Sequence, residues 1–246
     1  MHEIILMGIL NTSPESFFDG KSVAINPEYV LSKAQNLLAD GATIIDIGGQ
    51  STRPGYVEIT PEEEIKRTVP FIKLLKQGTA AQISIDSYKA PVIEAALKAG
   101  ANIVNDISGL KDEMLAALAV AYGAKLVIMH SGKVKNLESI AEFFTAKIKQ
   151  AKQLGVKEEN LILDIGLGFG KDMEENWFLL ENINYFDSFN LPLLVGASRK
   201  RFTGKTLENS LKAAKLAAKT KNELILRVHE VRETKEVFYE RYTNFN

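Results

Sequence analysis

Short apolar runs alternate with longer amphipathic ones along the whole chain. The short runs are rich in Ile, Leu and Val and bounded by Gly, Asp or Asn. They predict strands near 4–10, 43–48, 82–86, 102–105, 125–129, 161–164, 192–196 and 224–228. They are continuously apolar, as strands buried on both faces of a parallel sheet must be. The longer stretches predict helices near 28–40, 61–77, 90–99, 111–122, 137–154, 174–183, 207–220 and 231–241. Thr60-Pro61-Glu62-Glu63-Glu64 is a helix start, with a capping Thr, a Pro in the first turn and acids facing the positive end of the helix dipole. Gly41, Gly78, Gly100, Gly123 and Gly155 stand where five of the helices should stop.

Eight strands in strict alternation with eight helices over 246 residues predict an α/β chain, a single (β/α)8 TIM barrel spanning residues 1–246. A doubly wound open sheet is the competing arrangement. The strand ends decide between them. Asn11 follows strand 1, and Ser51, Thr52 and Arg53 follow strand 2. Asp86, Asn105-Asp106, His130 and Asp164 end strands 3 to 6. Ser198, Arg199 and Lys200 follow strand 7, and Arg227 and His229 end strand 8. Strands at opposite edges of an open sheet could not share a site, whereas a barrel brings all eight ends to one mouth.

Composition narrows the chemistry. Thirty basic against 31 acidic residues give a net charge of −1, so no overall basic field invites nucleic acid. Cysteine is absent, which excludes disulfides, thiolate metal sites and a cysteine nucleophile, and fits a reducing cytoplasm. The opening Met-His-Glu lacks the pattern of a cleaved leader, and no apolar run approaches the ~20 residues of a membrane span. A soluble, cytoplasmic protein is expected.

The polar strand ends fall into two sets. Arg53, Lys200, Arg227 and His229, with Arg199 nearby, suit an anion such as phosphate or diphosphate; surface ion pairing is the plain alternative. Arg227 and His229 are two apart on a strand and share a face. Asp86, Asn105 and Asp164 suit a flat heterocycle with several N–H donors, since a guanidine-like edge gives two parallel hydrogen bonds to one carboxylate. Each aspartate could instead cap the following helix. Gly166-Leu167-Gly168-Phe169-Gly170-Lys171 is no P-loop, lacking Ser or Thr after the Lys; it reads either as a close backbone approach to a ligand or as a plain turn. The three histidines, His2, His130 and His229, form no zinc pattern. Asn11, together with substrate phosphate oxygens, could hold Mg²⁺, which needs few protein ligands. His130 is expected to be a hydrogen-bonded strand-end residue.

Seven segments then resemble, in order, the signatures of the dihydropteroate synthase family. They are the run from Met7 to Gly20; Asp46-Ile47-Gly48-Gly49-Gln50-Ser51-Thr52-Arg53-Pro54-Gly55; Ile85-Asp86-Ser87-Tyr88-Lys89; Asn105-Asp106-Ile107-Ser108-Gly109; Leu163 to Lys171; Ser198-Arg199-Lys200; and Arg227-Val228-His229. The resemblance covers nearly the whole chain. It implies a pterin-binding (β/α)8 barrel that joins 6-hydroxymethyl-7,8-dihydropterin diphosphate to p-aminobenzoate in folate synthesis, is a target of sulfonamides, and forms a homodimer. On that resemblance Asp86, Asn105, Asp164 and Lys200 hold the pterin. Asn11, Arg53, Arg227 and His229 hold the diphosphate, with Mg²⁺ at Asn11. Thr52, Pro54, Phe169 and Ser198 line the p-aminobenzoate site, and Asp19 lies in the first loop, which helps close over the reaction.

The chain departs from the family pattern in places. Its opening reads Asn-Thr-Ser-Pro-Glu for the usual Asn-Val-Thr-Pro-Asp, Ile165 replaces a Pro, and Lys221-Asn222-Glu223 replaces a Gly-Ala. The segments after His130 and Lys200 are short. Two other readings share the pterin clamp: a methyltetrahydrofolate-dependent methyltransferase-like barrel, which has no need of a diphosphate site, and a pterin-binding paralogue without synthase activity.

Overall fold

The run Ile4–Asn11 forms β1, and it pairs in parallel with strands from both ends of the chain. Met7 lies opposite Ile44 of β2 (Ile44–Gly48), and Ile4 lies opposite Leu224 of β8 (Leu224–Val228). This double pairing closes the sheet. Between β2 and β8, the strands β3 (Gln82–Asp86), β4 (Ile103–Asp106), β5 (Lys125–Met129), β6 (Leu161–Asp164) and β7 (Leu193–Val195) follow in chain order, all parallel. The computed structural model describes residues 4–13, 27–50 and 57–239.

Each strand leads to a helix on the outside: α1 (Pro27–Ala39), α2 (Pro61–Gly78), α3 (Ala90–Ala99), α4 (Met114–Tyr122), α5 (Leu137–Gln153), α6 (Met173–Glu181), α7 (Leu207–Ala217) and α8 (Val231–Tyr239). The expected (β/α)8 barrel is therefore observed, and the open sheet is not. The local signals act as read. Thr60 caps α2 by accepting the Glu63 N–H at 3.3 Å. Gly100 and Gly123 close α3 and α4 in the left-handed conformation that side chains disfavour. Gly78 behaves differently. It stays inside α2, and extended Thr79 ends the helix by donating its N–H to the Leu75 carbonyl at 2.9 Å.

Four expected helices are shorter than their amphipathic patterns; α5 ends one residue early, at Gln153. α4 begins at Met114 because the Asp112 carboxylate accepts the Met114 N–H at 2.9 Å, making residues 111–113 a turn. α6 ends at Glu181 and passes into a 3-10 stretch, Ile183–Phe189. α7 ends at Ala217, where Thr220 and the Lys221 N–H bond to the Asp187 carboxylate.

Side chains alternate across each strand, so the sheet has two apolar faces. One face, with Ile45, Ile47, Ile83, Ile85, Val104 and Leu126, packs against the helices. The other fills the barrel with a separate plug: Met7, Ile44, Ile103, Val127, Ile162, Leu194 and Ile225, all almost fully buried. The plug is the floor on which the site is built.

Candidate active site

Two residues beyond four members of the plug, the inward face turns polar. Ile44 is followed by Asp46, Ile103 by Asn105, Ile162 by Asp164 and Ile225 by Arg227. Strand alternation therefore places these four in one layer above the apolar floor. Arg227 lies at its centre. Its Nε donates to Asp46 Oδ2 at 2.6 Å and its Nη2 to Asp86 Oδ2 at 2.5 Å. Asp46 is completely buried, and Asn105 Nδ2 lies 3.3 and 3.4 Å from its two oxygens. Burial works against the Arg227 charge, but the two carboxylates outweigh it and hold the guanidinium above its ordinary range.

Asp86 has one oxygen on Arg227 and the other, Oδ1, buried without a partner among the described residues. Burial pushes its carboxyl up and neighbouring Asp46 adds to this, while Arg227 opposes. Asp164 is raised by burial too; its Oδ1 accepts the Gly166 N–H at 2.7 Å, which with Lys200 pulls the other way. Lys200 follows β7, and its ammonium sits 4.2 Å from the centre of the Phe169 ring. Burial first, and Arg227 second, lower it to about 8, against the pull of Asp164 and Asp86.

The loop after β6 shows why glycine is needed. Gly166 has φ +66°, and a Cβ there would come within 1.8 Å of the His130 carbonyl oxygen. Gly168, at φ +78°, leaves room for the Lys200 stem, which would lie 3.0 Å from a Cβ. The close approach is thus to the chain's own backbone and to Lys200. Lys171 ties the loop down by donating to the carbonyls of Gly166, His130 and Phe169 at 2.8, 3.0 and 3.3 Å. The His130 ring meets Phe143 edge-on and its Nδ1 has no partner among the described residues; the hydrogen bonds of this strand-end residue run through its backbone, whose N–H donates to the Asp164 carbonyl at 2.9 Å and whose carbonyl accepts from Lys171 at 3.0 Å. Burial and Lys171 hold its pKa near 4, so it is neutral at pH 7.

Beyond the polar layer, Ser198 and His229 meet. Ser198 Oγ lies 2.9 Å from His229 Nδ1 and 2.8 Å from Glu230 Oε2, and it accepts the His229 backbone N–H at 3.2 Å. Burial, then Arg227, push His229 down to about 4. Arg199, expected among the anion-binding cations, is largely exposed and pairs with Glu230. Asn11 ends β1 on the same rim: a Cβ on Gly48 would lie 3.6 Å from Asp86 Oδ2 and 3.8 Å from Asn11 Oδ1. The structure thus gathers Asn11, Asp86, Asn105, Asp164, Phe169, Ser198, Lys200, Arg227 and His229 at one mouth. Asp19, Thr52, Arg53 and Pro54 lie outside the described residues. Among the described residues no three His, Cys, Asp or Glu side chains form a metal cluster, and no helix is long and apolar enough to cross a membrane.

Residues 7–232 match the pterin binding enzyme family. The dihydropteroate synthase of Escherichia coli K12 is 39% identical over 251 residues, covering 94% of this chain and 88% of the relative. The fold matches a dihydropteroate synthase from Clostridium difficile, solved in the presence of pteroic acid, with a TM-score of 0.91 and 39% identity over 98% of this chain and 97% of that one. It also matches the Xanthomonas albilineans dihydropteroate synthase solved with 4-aminobenzoic acid, at a TM-score of 0.91 and 31% identity over 99% and 94% of the two chains. This chain belongs to the dihydropteroate synthase family of pterin-binding enzymes.

Within this dihydropteroate synthase frame, four residues without a role in the sequence pattern enter the geometry: Asp46, Lys171, Glu230 and Lys89. Asp46 was legible as an acid inside the run Ile44-Ile45-Asp46-Ile47, two residues from a plug position. Lys171 and Glu230 carry no such mark, because their partners are backbone carbonyls and a residue 32 positions away. Lys89 is held by Glu64 at 2.9 Å, Gln50 Oε1 at 2.8 Å and the Ile59 carbonyl at 2.6 Å. Gln50 and Ile59 lie on either side of residues 51–56, so one ammonium fastens both flanks of that segment.

Proposed function

We propose that this chain condenses 6-hydroxymethyl-7,8-dihydropterin diphosphate with p-aminobenzoate, releasing pyrophosphate and giving 7,8-dihydropteroate for folate synthesis. The observation that carries this reading is the pairing of Asp86: one oxygen on Arg227, the other buried and unpartnered. A buried carboxylate oxygen left so is costly unless a donor arrives, and the N–H edge of a pterin is such a donor. Asn105 and Asp164 offer further polar contacts to the same flat ring, and Lys200 lies over it beside Phe169. Phe169 and Ser198, with Thr52 and Pro54, line the p-aminobenzoate side.

The reaction breaks the C–O bond between the pterin methylene and the diphosphate, and the electron pair leaves on the diphosphate oxygen. Arg227 and His229, with Arg53, stabilise that developing charge. The carboxylates of Asp86 and Asp164 favour the cationic pterin-methyl fragment left behind. The amine of p-aminobenzoate then forms the new C–N bond and loses a proton. A weak arylamine nucleophile suits this order, in which bond breaking leads, and no protein nucleophile is required. Asn11 offers one neutral oxygen on the rim that also carries Asp86, a donor set that fits Mg²⁺ only when substrate phosphates supply most of the ligands. When bound there, Mg²⁺ would neutralise charge on the leaving group. Asp19 keeps the role that the resemblance implies, in closing over the reaction.

The same reading makes the protein a single-domain cytoplasmic homodimer and a sulfonamide target. The deciding experiment measures pyrophosphate release with both substrates and Mg²⁺, and again without p-aminobenzoate. Release that depends on p-aminobenzoate, with dihydropteroate formed, is expected. Pterin binding without turnover would favour the non-catalytic paralogue, and methyl transfer from methyltetrahydrofolate would favour the methyltransferase.

A further inference from the structure

Ser198 has one hydroxyl proton and three close partners: the His229 backbone N–H, His229 Nδ1 and Glu230 Oε2. A carboxylate only accepts hydrogen bonds, so the Ser198 proton goes to Glu230. The oxygen of Ser198 is then left to accept, from the His229 backbone and from Nδ1. That requires the imidazole proton to sit on Nδ1. Glu230 is itself fixed from its other side, because its Oε1 pairs with Arg199, whose backbone turns into the left-handed region at φ +52°.

We infer that Glu230 is a positioning residue which, through Ser198, holds the His229 imidazole with its proton on Nδ1, so that Nε2 takes up a proton when a polyphosphate anion binds. This rests on the functional reading above for the anion, but not for the tautomer. The charged groups around His229 are Arg227 on its own strand, Arg199 after β7, Lys33 on α1 and Glu230. Three of the four are cations, and with burial they keep the free ring neutral. A bound polyphosphate reverses the sign of that field. The proton comes from solvent and adds to the Nε2 lone pair, converting a neutral acceptor into a cationic N–H donor facing the anion. The partner on Nδ1 thus decides which imidazole nitrogen is left to face the ligand.

The chain has three histidines, so the His229 ring is assigned in long-range ¹H–¹⁵N spectra by its loss in His229→Gln. In the ligand-free protein at pH 7 the Nδ1–H tautomer is expected. In Glu230→Ala the Ser198 proton is released to donate to Nδ1, and the ring should switch to Nε2–H. The second measurement is calorimetric titration of inorganic pyrophosphate with Mg²⁺ in two buffers of different ionisation heat. Net proton uptake is expected in the parent protein, and its loss in His229→Gln. An Nε2–H ring in the parent protein overturns the inference whether or not Glu230→Ala folds. Pyrophosphate binding without proton uptake overturns it while leaving the functional reading intact. Absence of any pyrophosphate binding overturns the functional reading, and the uptake with it.

Discussion

Replacing Asp46 with Asn isolates the one fully buried charge that the polar layer cannot spare. The change keeps size and shape and removes the carboxylate that accepts Arg227 Nε at 2.6 Å and faces Asn105 Nδ2. Removing one member of a buried ion pair typically costs about 3–5 kcal/mol, because the partner charge is left uncompensated. Here Asp86 still holds Arg227 Nη2, so the loss reduces to one charge-assisted hydrogen bond, about 1.5–3 kcal/mol. For a chain of this size each kcal/mol moves Tm by roughly 2–4 °C, which predicts a fall of about 3–12 °C. Arg227 and Asn105 also lose their common anchor, so kcat/KM should drop by more than the tenfold that about 1.4 kcal/mol of transition-state stabilisation represents. Thermal unfolding and steady-state kinetics on the same preparation measure both. A double-mutant cycle with Arg227→Met adds a sharper test. Arg227→Met alone leaves Asp46 and Asp86 as unneutralised neighbours, so Asp46→Asn should relieve part of its effect by more than about 0.5 kcal/mol. An Asp46→Asn protein with parental Tm and kinetics, or strictly additive effects in the cycle, would refute the view that Asp46 organises the layer.

Three more expectations follow from the same geometry. Asp164→Asn should weaken binding of a non-reactive pterin by about 1.5–3 kcal/mol and leave p-aminobenzoate affinity nearly unchanged; calorimetry showing unchanged pterin affinity would remove Asp164 from the pterin role. Lys200→Arg keeps the charge but replaces a compact donor over the Phe169 ring with a planar fork, and kcat/KM should fall roughly tenfold or more, whereas near-parental values would show that charge alone matters. The pH dependence of kcat/KM, which reports the free enzyme, should be a narrow bell: ionised Asp86, raised by burial to about 7, is lost as pH falls, and the Lys200 ammonium, lowered by burial to about 8, is lost as pH rises. A flat profile from pH 6 to 9 would contradict both assignments.

The fold was legible because it depends on repeated local rules. Eight continuous apolar runs, each followed by an amphipathic stretch, leave few arrangements other than a closed parallel barrel, and the polar strand ends selected it. What the pattern misplaced were helix ends decided by contacts distant in sequence, such as Asp187 receiving Thr220 beyond the end of α7. The site was legible in its membership and not in its wiring. Residue type and position separated an anion set from a heterocycle set, yet Arg227 of the first is bonded to Asp86 of the second. No spacing rule joins residues 141 positions apart on opposite sides of a barrel. Asp46 fell between the two sets for a related reason: it touches a member of each, and so has the signature of neither.

That wiring bears on how the two ligands can influence each other. Among the described residues of the polar layer, the carboxylates are Asp46, Asp86 and Asp164 and the nearby cations are Arg227 and Lys200, and Arg227 is already bound to two of the acids. Among these described residues the layer is therefore a set of charges that largely satisfy one another. In the proposed reaction, a polyphosphate drawing on Arg227 would compete with Asp86 for the same guanidinium. A pterin N–H edge reaching Asp86 supplies that carboxylate with a replacement donor. Each ligand thus relieves the loss that the other imposes, which is the physical content of a coupling free energy between two sites. The coupling is also reciprocal, so it acts in reverse once the diphosphate separates from the pterin. When pyrophosphate departs, Arg227 can return fully to Asp86, and the carboxylate's hold on the pterin edge weakens. In the proposed reaction, product release then draws on the same bond that assembled the site.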